Sequence, residues 1–182
     1  MLMRMTSDLY YFKTNWLVKD PIRATEGSAC FDLHSFLPED SVVRAYISHG
    51  DQDIEIRERK VVKGRVQINP NERMLVPTGL IFDIPSNHSI RLYPRSSLAL
   101  KHGLTLANNV GIIDSDYVEP VYMMIYNISG YQQFVTNGES ICHAELILEK
   151  QHVLLELDER PERKTDRDGG FGSTGRLSLI HI

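Results

Sequence analysis

"RVQINPNERMLVPTGLIFDIPSNHSIRLY", residues 65–93, is the stretch that indicates the fold most clearly. It consists of short runs of apolar, β-branched and aromatic residues, separated by the clusters "NPNE" and "PSNH". Such clusters favour turns, because Pro fixes φ and Asn tolerates left-handed backbone. Runs of this length and composition favour β-strands. The stretch therefore predicts extended segments joined by tight turns.

The same pattern continues on both sides of this stretch. Upstream, "SVVRAYI" and "DIEIRERKVV" flank "SHGDQ", which predicts a hairpin with a Gly-Asp turn. Downstream, "LTLANNVGII", "VEPVYMMIYNIS", "QQFVT" and "SICHAELILEK" repeat the style, and "HVLLELDERPERKTDRD" begins like a strand before it becomes charged. Many short strands at regular spacing predict an all-β barrel or sandwich.

One segment has a helical rhythm. "PRSSLALKHG" predicts a turn or two of helix, with Ser96 or Ser97 as its N-cap and Gly103 as its stop.

The totals restrict the class of protein. The chain has 182 residues, 42% of them hydrophobic and 24% charged, as expected for one globular domain. A formal net charge of -4 argues against a protein that wraps nucleic acid. Two cysteines without a CxxC spacing indicate a reducing, cytoplasmic location. We expect no membrane span and no signal peptide, since no long apolar run is present.

The first segment that could carry chemistry is "YPRSSLALKHGL". Arg95 offers a planar donor fork that matches phosphate oxygens. Ser96 and Ser97 add hydroxyl donors where a helix would begin, and backbone N–H groups point the same way there. The alternative is a capped helix start with a surface arginine.

The second segment is "NNVGIIDSDYVEP". Asp114 follows the apolar "GII", so a rigid strand end would hold a carboxylate that could orient and deprotonate a water. Asn108 offers an amide that suits the edge of a pyrimidine, and Tyr117 could pack flat against a sugar. The alternative is a hairpin turn with solvated carboxylates.

Two further segments can be interpreted either as functional or as purely structural. Asp32, in "EGSACFDLHS", is either a strand-edge acid bonded to nearby backbone or a carboxylate near a magnesium that phosphates carry in. The glycine-rich "TDRDGGFGSTG", residues 165–175, is by itself typical of a flexible tail.

Together and in this order, five segments resemble the motifs of the trimeric, all-β dUTPase family. They are "EGSACFDLHS", "PRSSLALKHGL", "GIIDSDY", "GESICHAELI" and "GGFGSTG", and they span residues 26–175. The resemblance implies a distorted jelly-roll subunit, a homotrimer with active sites shared between subunits, and hydrolysis of dUTP to dUMP and pyrophosphate with Mg²⁺ on the triphosphate.

The resemblance also implies roles for single residues. Asp114 would activate the water that attacks the α-phosphorus, and Asp32 would reach Mg²⁺ through its waters. Arg95, Ser96 and Ser97 would lie along the phosphates. The uracil and sugar would be bound by Asn108, the backbone of Gly111, Ile112 and Ile113, and the side chains of Tyr117 and Tyr122.

In this family the glycine-rich end is an arm that closes over the nucleotide. The resemblance thus implies a β domain over residues 1–160 and a C-terminal arm over 161–182. Phe171 would stack on uracil, a contact worth about 1–3 kcal/mol for other base–aromatic stacks. The phosphate contacts of the arm would come from Arg167, Gly172, Ser173 and Thr174.

The chain departs from the family pattern at four places. Ser97 stands where glycine is usual, and Ser140 and His143 replace arginine and glutamine. Arg167 lies one position closer to the glycines than usual. The segment after Asp32 is longer, which predicts an added β-hairpin at about residues 44–65.

Two other functions fit the same sequence. A dCTP deaminase, or a bifunctional deaminase–dUTPase, shares the fold and uses a glutamate in the hairpin motif, where this chain has Glu119 beyond Tyr117. The other is a trimeric binding or regulatory module that uses the extra hairpin.

Overall fold

The structure is a computed structural model that describes residues 8–50 and 53–165. Within them the chain forms thirteen strands and one helix. The elements are β1 (Tyr10–Lys13), β2 (Phe31–His34), β3 (Val42–Ser48), β4 (Ile54–Lys60), β5 (Arg65–Ile68), β6 (Arg73–Pro77), β7 (Leu80–Asp83), β8 (His88–Pro94), α1 (Ser96–His102), β9 (Leu104–Leu106), β10 (Gly111–Ile113), β11 (Tyr122–Asn127), β12 (Gln133–Thr136) and β13 (Ser140–Leu148).

The strands form two larger and two smaller sheets, and every pairing is antiparallel. One larger sheet has the order β10-β8-β13-β2, and the other has the order β4-β3-β6-β11-β9. The smaller sheets pair β1 with β7 and β12 with β5. The predicted all-β class with one short helix is confirmed, and the open sheets are consistent with the jelly-roll-like fold. The helix α1 is too short to cross a membrane.

Strand alternation builds a single hydrophobic core between the two larger sheets. Leu33 on β2 and Ile90 on β8 contribute from the first, and Met74 on β6 and Met123 on β11 from the second, all with 0% exposure. Because side chains of a strand alternate between its faces, the intervening residues point outward, where a site can be built.

The chain divides into two units, residues 1–150 and 151–182. All strands and the helix belong to the first. In the second, residues 151–165 have no regular secondary structure, so the predicted strand at the start of "HVLLEL" is wrong. Its side chains do not alternate between buried and exposed positions, as a packed strand would require.

Two apolar runs that look like single strands in the sequence each form two strands in the structure. "RMLVPTGLIFDI" divides into β6 and β7 at Gly79, whose φ is +71°. A Cβ at Gly79 would lie 2.5 Å from Val18 Cγ2, so the backbone approaches its neighbour more closely than a side chain allows. "LTLANNVGII" divides into β9 and β10 at a turn in which Asn109 has φ of +59°.

The helix prediction holds at its end but not at its start. Gly103 terminates α1 in left-handed backbone with φ of 62°, as predicted. The N-cap is Arg95, and no side chain caps the helix, so neither Ser96 nor Ser97 has the predicted capping role. Both serines lie inside the first turn, where they are available to other partners.

The hairpin predicted at about residues 44–65 corresponds to β3 and β4, which pair from Val42–Lys60 to Ser48–Ile54. Strand β3 also pairs with β6, so the hairpin continues the five-stranded sheet. It is fixed to the core by Arg59, whose Nη2 lies 2.6 Å from Oε1 of Glu72. Glu72 is only 1% exposed.

Candidate functional site

A small cavity lies beside the turn between β9 and β10. Its volume is about 90 Å³, and its walls come from β6, β11 and the segment 106–113. The predicted uracil-binding residues Asn108, Gly111, Ile112 and Ile113 line it, together with Tyr122. Sequence reasoning missed Leu75 and Met124, which supply the apolar floor; both follow the alternation of β6 and β11.

The turn at residues 107–110 presents the Asn108 side chain to solvent at the cavity. Ala107 N–H donates to Met124 O at 2.8 Å, and Asn109 N–H donates to Leu106 O at 3.1 Å, which fix both sides of the turn. Gly111 packs closely on β8, because a Cβ there would lie 3.0 Å from Leu92 Cβ. A larger residue at 111 would push β10 away from its partner.

Strand β10 is an edge of the four-stranded sheet. Among the residues that the structure describes, it pairs with β8 on one side only, so the N–H and C=O groups of its other side have no partner from a described strand. These groups run beside the cavity and could read the donors and acceptors of a pyrimidine.

Asp114 follows β10 directly and is exposed. Its carbonyl accepts the N–H of Tyr117 at 3.1 Å, which closes a tight turn. Tyr117 is 40% exposed, and its hydroxyl donates to Pro120 O at 3.1 Å, which holds the ring in place. The strand end and this turn therefore fix the backbone of Asp114, whose side chain is exposed, three positions before Tyr117.

Arg95, Ser96 and Ser97 lie where β8 leads into α1. The guanidinium of Arg95 donates from Nη1 to Ser140 O at 2.6 Å. Ser96 is exposed and Ser97 is half-buried. The guanidinium is thereby oriented by β13 rather than free on the surface, which favours the functional interpretation over a surface arginine.

Asp32 lies on β2 directly opposite His143 on β13. Its Oδ1 is 2.8 Å from Nδ1 of His143, and its side chain is 20% exposed. His34, two residues along β2, has its pKa lowered, first by burial and then by the charge of Lys19. Sequence reasoning did not predict the Asp32–His143 contact, because it arises from the pairing of distant strands.

No group of three or more His, Cys, Asp or Glu side chains among residues 8–50 and 53–165 could hold a metal ion. The described residues therefore do not supply a complete set of protein ligands for a metal ion. A single half-buried carboxylate such as Asp32 does fit Mg²⁺ that arrives on phosphates, since Mg²⁺ keeps several waters and needs one or two carboxylates.

The strand register separates the predicted site residues into two groups. Ile113 on β10 pairs with Ile90 on β8, so the next residue, Asp114, lies level with Ser89. At the other end, His143 on β13 pairs with Asp32 on β2 and with Tyr93 on β8, so Asp32 lies level with Tyr93. Ser89 and Tyr93 are four residues apart on β8, which is about 13 Å along the strand direction. Across the sheet, the three strand-to-strand spacings from β10 to β2 amount to about 14 Å. One chain thus holds Asp114 about 20 Å from Asp32.

Arg95 lies beyond Tyr93, at the same end of the sheet as Asp32. The structure therefore brings Asp32 and Arg95 to one end, and Asp114, Asn108 and Tyr122 to another part of the chain. The remaining predicted residues, Arg167, Phe171, Gly172, Ser173 and Thr174, lie outside the described residues.

The dUTPase family model matches residues 61–175. A deoxyuridine 5'-triphosphate nucleotidohydrolase of Finegoldia magna is 37% identical over 131 residues, 71% of this chain and 89% of that protein. One of Dinoroseobacter shibae is 38% identical over 156 residues, 86% of this chain and 87% of that protein.

Solved structures show the same fold. A mutant dUTPase of Staphylococcus bacteriophage 80alpha, solved with dUpNHpp, has a TM-score of 0.70 at 17% identity and covers 93% of this chain and 99% of its own. The dUTPase of Streptococcus mutans has a TM-score of 0.57 at 20% identity, over 82% and 99% of the two chains. The family match over most of the chain agrees with the motif order, and the chain belongs to the dUTPase family.

Proposed function

We propose that this chain hydrolyses dUTP to dUMP and pyrophosphate. The observation that carries the proposal is the cavity lined by Asn108 and the edge strand β10, with the Asp114 carboxylate directly after that strand. A base bound in the cavity would place its sugar and α-phosphate towards Asp114. The relatives named as deoxyuridine 5'-triphosphate nucleotidohydrolases support the same reaction.

Recognition of uracil would rest on backbone and amide groups. The unpaired edge of β10 supplies fixed donors and acceptors, and the Asn108 amide supplies one of each. Leu75 and Met124 give the base an apolar contact. Tyr117, held by its bond to Pro120 O, would pack on the deoxyribose and leave no room for a 2′-hydroxyl.

In the reaction, Asp114 would orient a water and accept its proton as the water oxygen attacks the α-phosphorus. The new bond joins that oxygen to the α-phosphorus, and the bond from the α-phosphorus to the bridging oxygen breaks, so pyrophosphate leaves. Arg95 would neutralise charge on the phosphates. Mg²⁺ on the triphosphate, held by Asp32 through water, would supply further charge neutralisation.

The site would be shared between copies of the chain. A triphosphate whose α-phosphorus lies at Asp114 cannot also reach Asp32 of the same chain, because the two are about 20 Å apart by strand count. A neighbouring copy would bring its own Asp32 and Arg95 to the nucleotide. We propose a homotrimer with three such sites.

The test is the release of pyrophosphate from dUTP by the purified full chain, with and without Mg²⁺, beside dCTP, dTTP and UTP. We expect release from dUTP alone, dependent on Mg²⁺ and lost in Asp114→Asn. Release of ammonia from dCTP would instead support the deaminase. A folded protein that binds dUTP without hydrolysing it would support the binding module.

A further inference from the structure

Three buried polar atoms at one end of the four-stranded sheet have no hydrogen-bond partner among the described residues. They are Nδ1 of His34, Nε of Arg95 and Oγ of Ser140. A buried polar group without a partner destabilises the folded chain, because it has lost its hydrogen bonds to water and gained none. Three of them in one place are unusual for a folded protein, where nearly all such groups are bonded.

The three atoms come from adjacent segments. His34 and Ser140 are directly opposite each other on β2 and β13, so their side chains lie on one face about 5 Å apart at Cβ. Arg95 reaches the same place, because its Nη1 donates to Ser140 O at 2.6 Å. The charge of Arg95 also acts on the His34 ring.

The strand register is irregular beside these three atoms. Pairing of β13 with β2 shifts between Ser140 and Cys142. A bulge of this kind re-aims side chains and is frequent beside functional sites. Ser140 lies at the edge of this irregularity, and the pairing resumes at Cys142 opposite Leu33.

The chemistry of the three atoms favours an anion. Arg95 Nε only donates, the Ser140 hydroxyl can donate, and His34 Nδ1 donates in one of its neutral tautomers. Lys19 also bears on the His34 ring, and its Nζ is held by Gly138 O at 2.7 Å. The nearby carboxylate, Asp32, already contacts His143.

We propose that His34, Arg95 and Ser140 form an oxyanion subsite that takes a non-bridging oxygen of a polyphosphate. The new elements are the side chains of His34 and Ser140, which would act as binding residues beside the arginine. The occupant would be the pyrophosphate portion of the nucleotide or free pyrophosphate, and the assignment to the nucleotide rests on the proposed function.

The test is isothermal titration of the full chain with inorganic pyrophosphate in the presence of Mg²⁺. His34→Leu removes the ring nitrogens, and His34→Asn keeps a donor near the position of Nδ1. Ser140→Ala removes only the hydroxyl, and His102→Leu, at the exposed end of α1, is the matched control. Thermal melting of each variant checks that it is folded.

We expect His34→Leu to weaken pyrophosphate binding roughly tenfold and Ser140→Ala severalfold, as for other lost bonds to a charged ligand. His34→Asn and His102→Leu should stay within about twofold of wild type. A parallel titration with dUMP, which lacks the outer phosphates, should be unchanged by Ser140→Ala.

Two results would overturn the subsite: no measurable pyrophosphate binding by the wild-type chain, or equal binding by wild type, His34→Leu and Ser140→Ala. Because binding is measured and not hydrolysis, the outcome is independent of the reaction. A chain that does not hydrolyse dUTP but loses pyrophosphate binding in His34→Leu retains the subsite and loses the proposed function.

Discussion

His143 faces Asp32 across the β2–β13 ladder, with Nδ1 2.8 Å from Oδ1. The contact occupies one carboxylate oxygen and orients the other. In the proposed function Asp32 holds Mg²⁺ through water, and a partner that orients such a carboxylate would tune its affinity for the metal. The replacement of the family's usual glutamine by His143 therefore keeps a donor at this position.

We predict that His143→Leu raises the Mg²⁺ concentration for half-maximal dUTP hydrolysis roughly tenfold, because Asp32 loses its orienting contact. His143→Gln, which restores an amide donor, should stay within about twofold of wild type. Titration of activity with Mg²⁺ at saturating dUTP measures both. Equal values for the two variants would show that the contact has no part in metal binding.

Asp114→Asn should lower kcat by roughly 10²–10⁴-fold, since an amide cannot accept the proton of the attacking water. The KM for dUTP should change much less, because the carboxylate is not part of the base cavity. The control is Asp116→Asn, which removes the same charge from an exposed residue two positions away. A similar loss in both variants would contradict the assignment of the base.

Much of the fold could be predicted because it depends on local pattern. The strands, the turns and the Gly103 helix stop follow from alternation and from residues that favour particular backbone angles. The broken runs at Gly79 and Asn109 were missed for a different reason. At Gly79 the close approach of Val18 interrupts an apolar run, and at Asn109 a turn between two strands does so. The composition of the runs does not predict either interruption.

The candidate site was predicted residue by residue but not as an arrangement. Motif order predicts Asp32, Arg95 and Asp114 as site residues, whereas the distances between them depend on which strands pair and in what register. The same holds for His34, whose neighbour Ser140 lies more than a hundred residues away in the chain. Such long-range pairings have no local signal in one sequence.

The extra hairpin should contribute measurably to stability through Arg59. Its guanidinium neutralises the buried Glu72. Without it, Glu72 would keep the N–H of Asn69 at 2.8 Å, the Asn69 side-chain amide at 3.1 Å and the more distant Arg57 guanidinium at 3.9 Å. Breaking a buried ion pair by removing one partner costs about 3–5 kcal/mol. Arg59→Leu should therefore lower the free energy of unfolding in urea by about 3 kcal/mol.

The matched control for this effect is Arg57→Leu. Its Nη1 is 3.9 Å from Glu72 Oε1 and its side chain is 45% exposed, so the free energy of unfolding should fall much less than in Arg59→Leu. If both arginines gave the same small change, the buried pair would not be what fixes the hairpin to the core.

Glu55, near the tip of the same hairpin, should make stability depend on acid pH. Its carboxylate accepts hydrogen bonds from Arg57 and lies 2.7 Å from His49 Nε2, and these contacts, that of Arg57 first, lower its pKa from 4.5 to about 2. Because the folded chain keeps Glu55 ionised to lower pH than the unfolded chain does, its contribution is complete above about pH 4.5 and is lost as the pH falls towards 2.

The measurement is the melting temperature of wild type and Glu55→Gln between pH 7 and pH 2. Above pH 4.5, the ordinary pKa of the carboxyl group, we expect wild type to melt at a slightly higher temperature than Glu55→Gln. This difference in melting temperature should disappear as the pH falls towards 2. Glu26→Gln, in an exposed loop, controls for the loss of one charge. A gap that is constant over the whole range would contradict the coupling to Arg57 and His49.

Because Asp114 and Arg95 of one chain lie far apart, the proposal of a site shared between copies can be tested by refolding two inactive variants together. In the proposed homotrimer, Asp114→Asn and Arg95→Leu should each be inactive when refolded alone, because every site lacks one of the two groups. If each site takes Asp114 from one copy and Arg95 from another, random heterotrimers restore both groups in roughly one site in four. The two purified variants would be unfolded together and refolded as a mixture, and pyrophosphate release from dUTP would be assayed.

Activity near a quarter of that of refolded wild type, well above the sum of the separately refolded variants, is the expected result. The control mixture of Asp114→Asn with Asp116→Asn should also recover activity, since the second variant keeps both groups. If the first mixture stayed inactive while the control recovered, each site would have to draw Asp114 and Arg95 from the same copy. The strand register, which holds them at opposite ends of the sheet, argues against that arrangement.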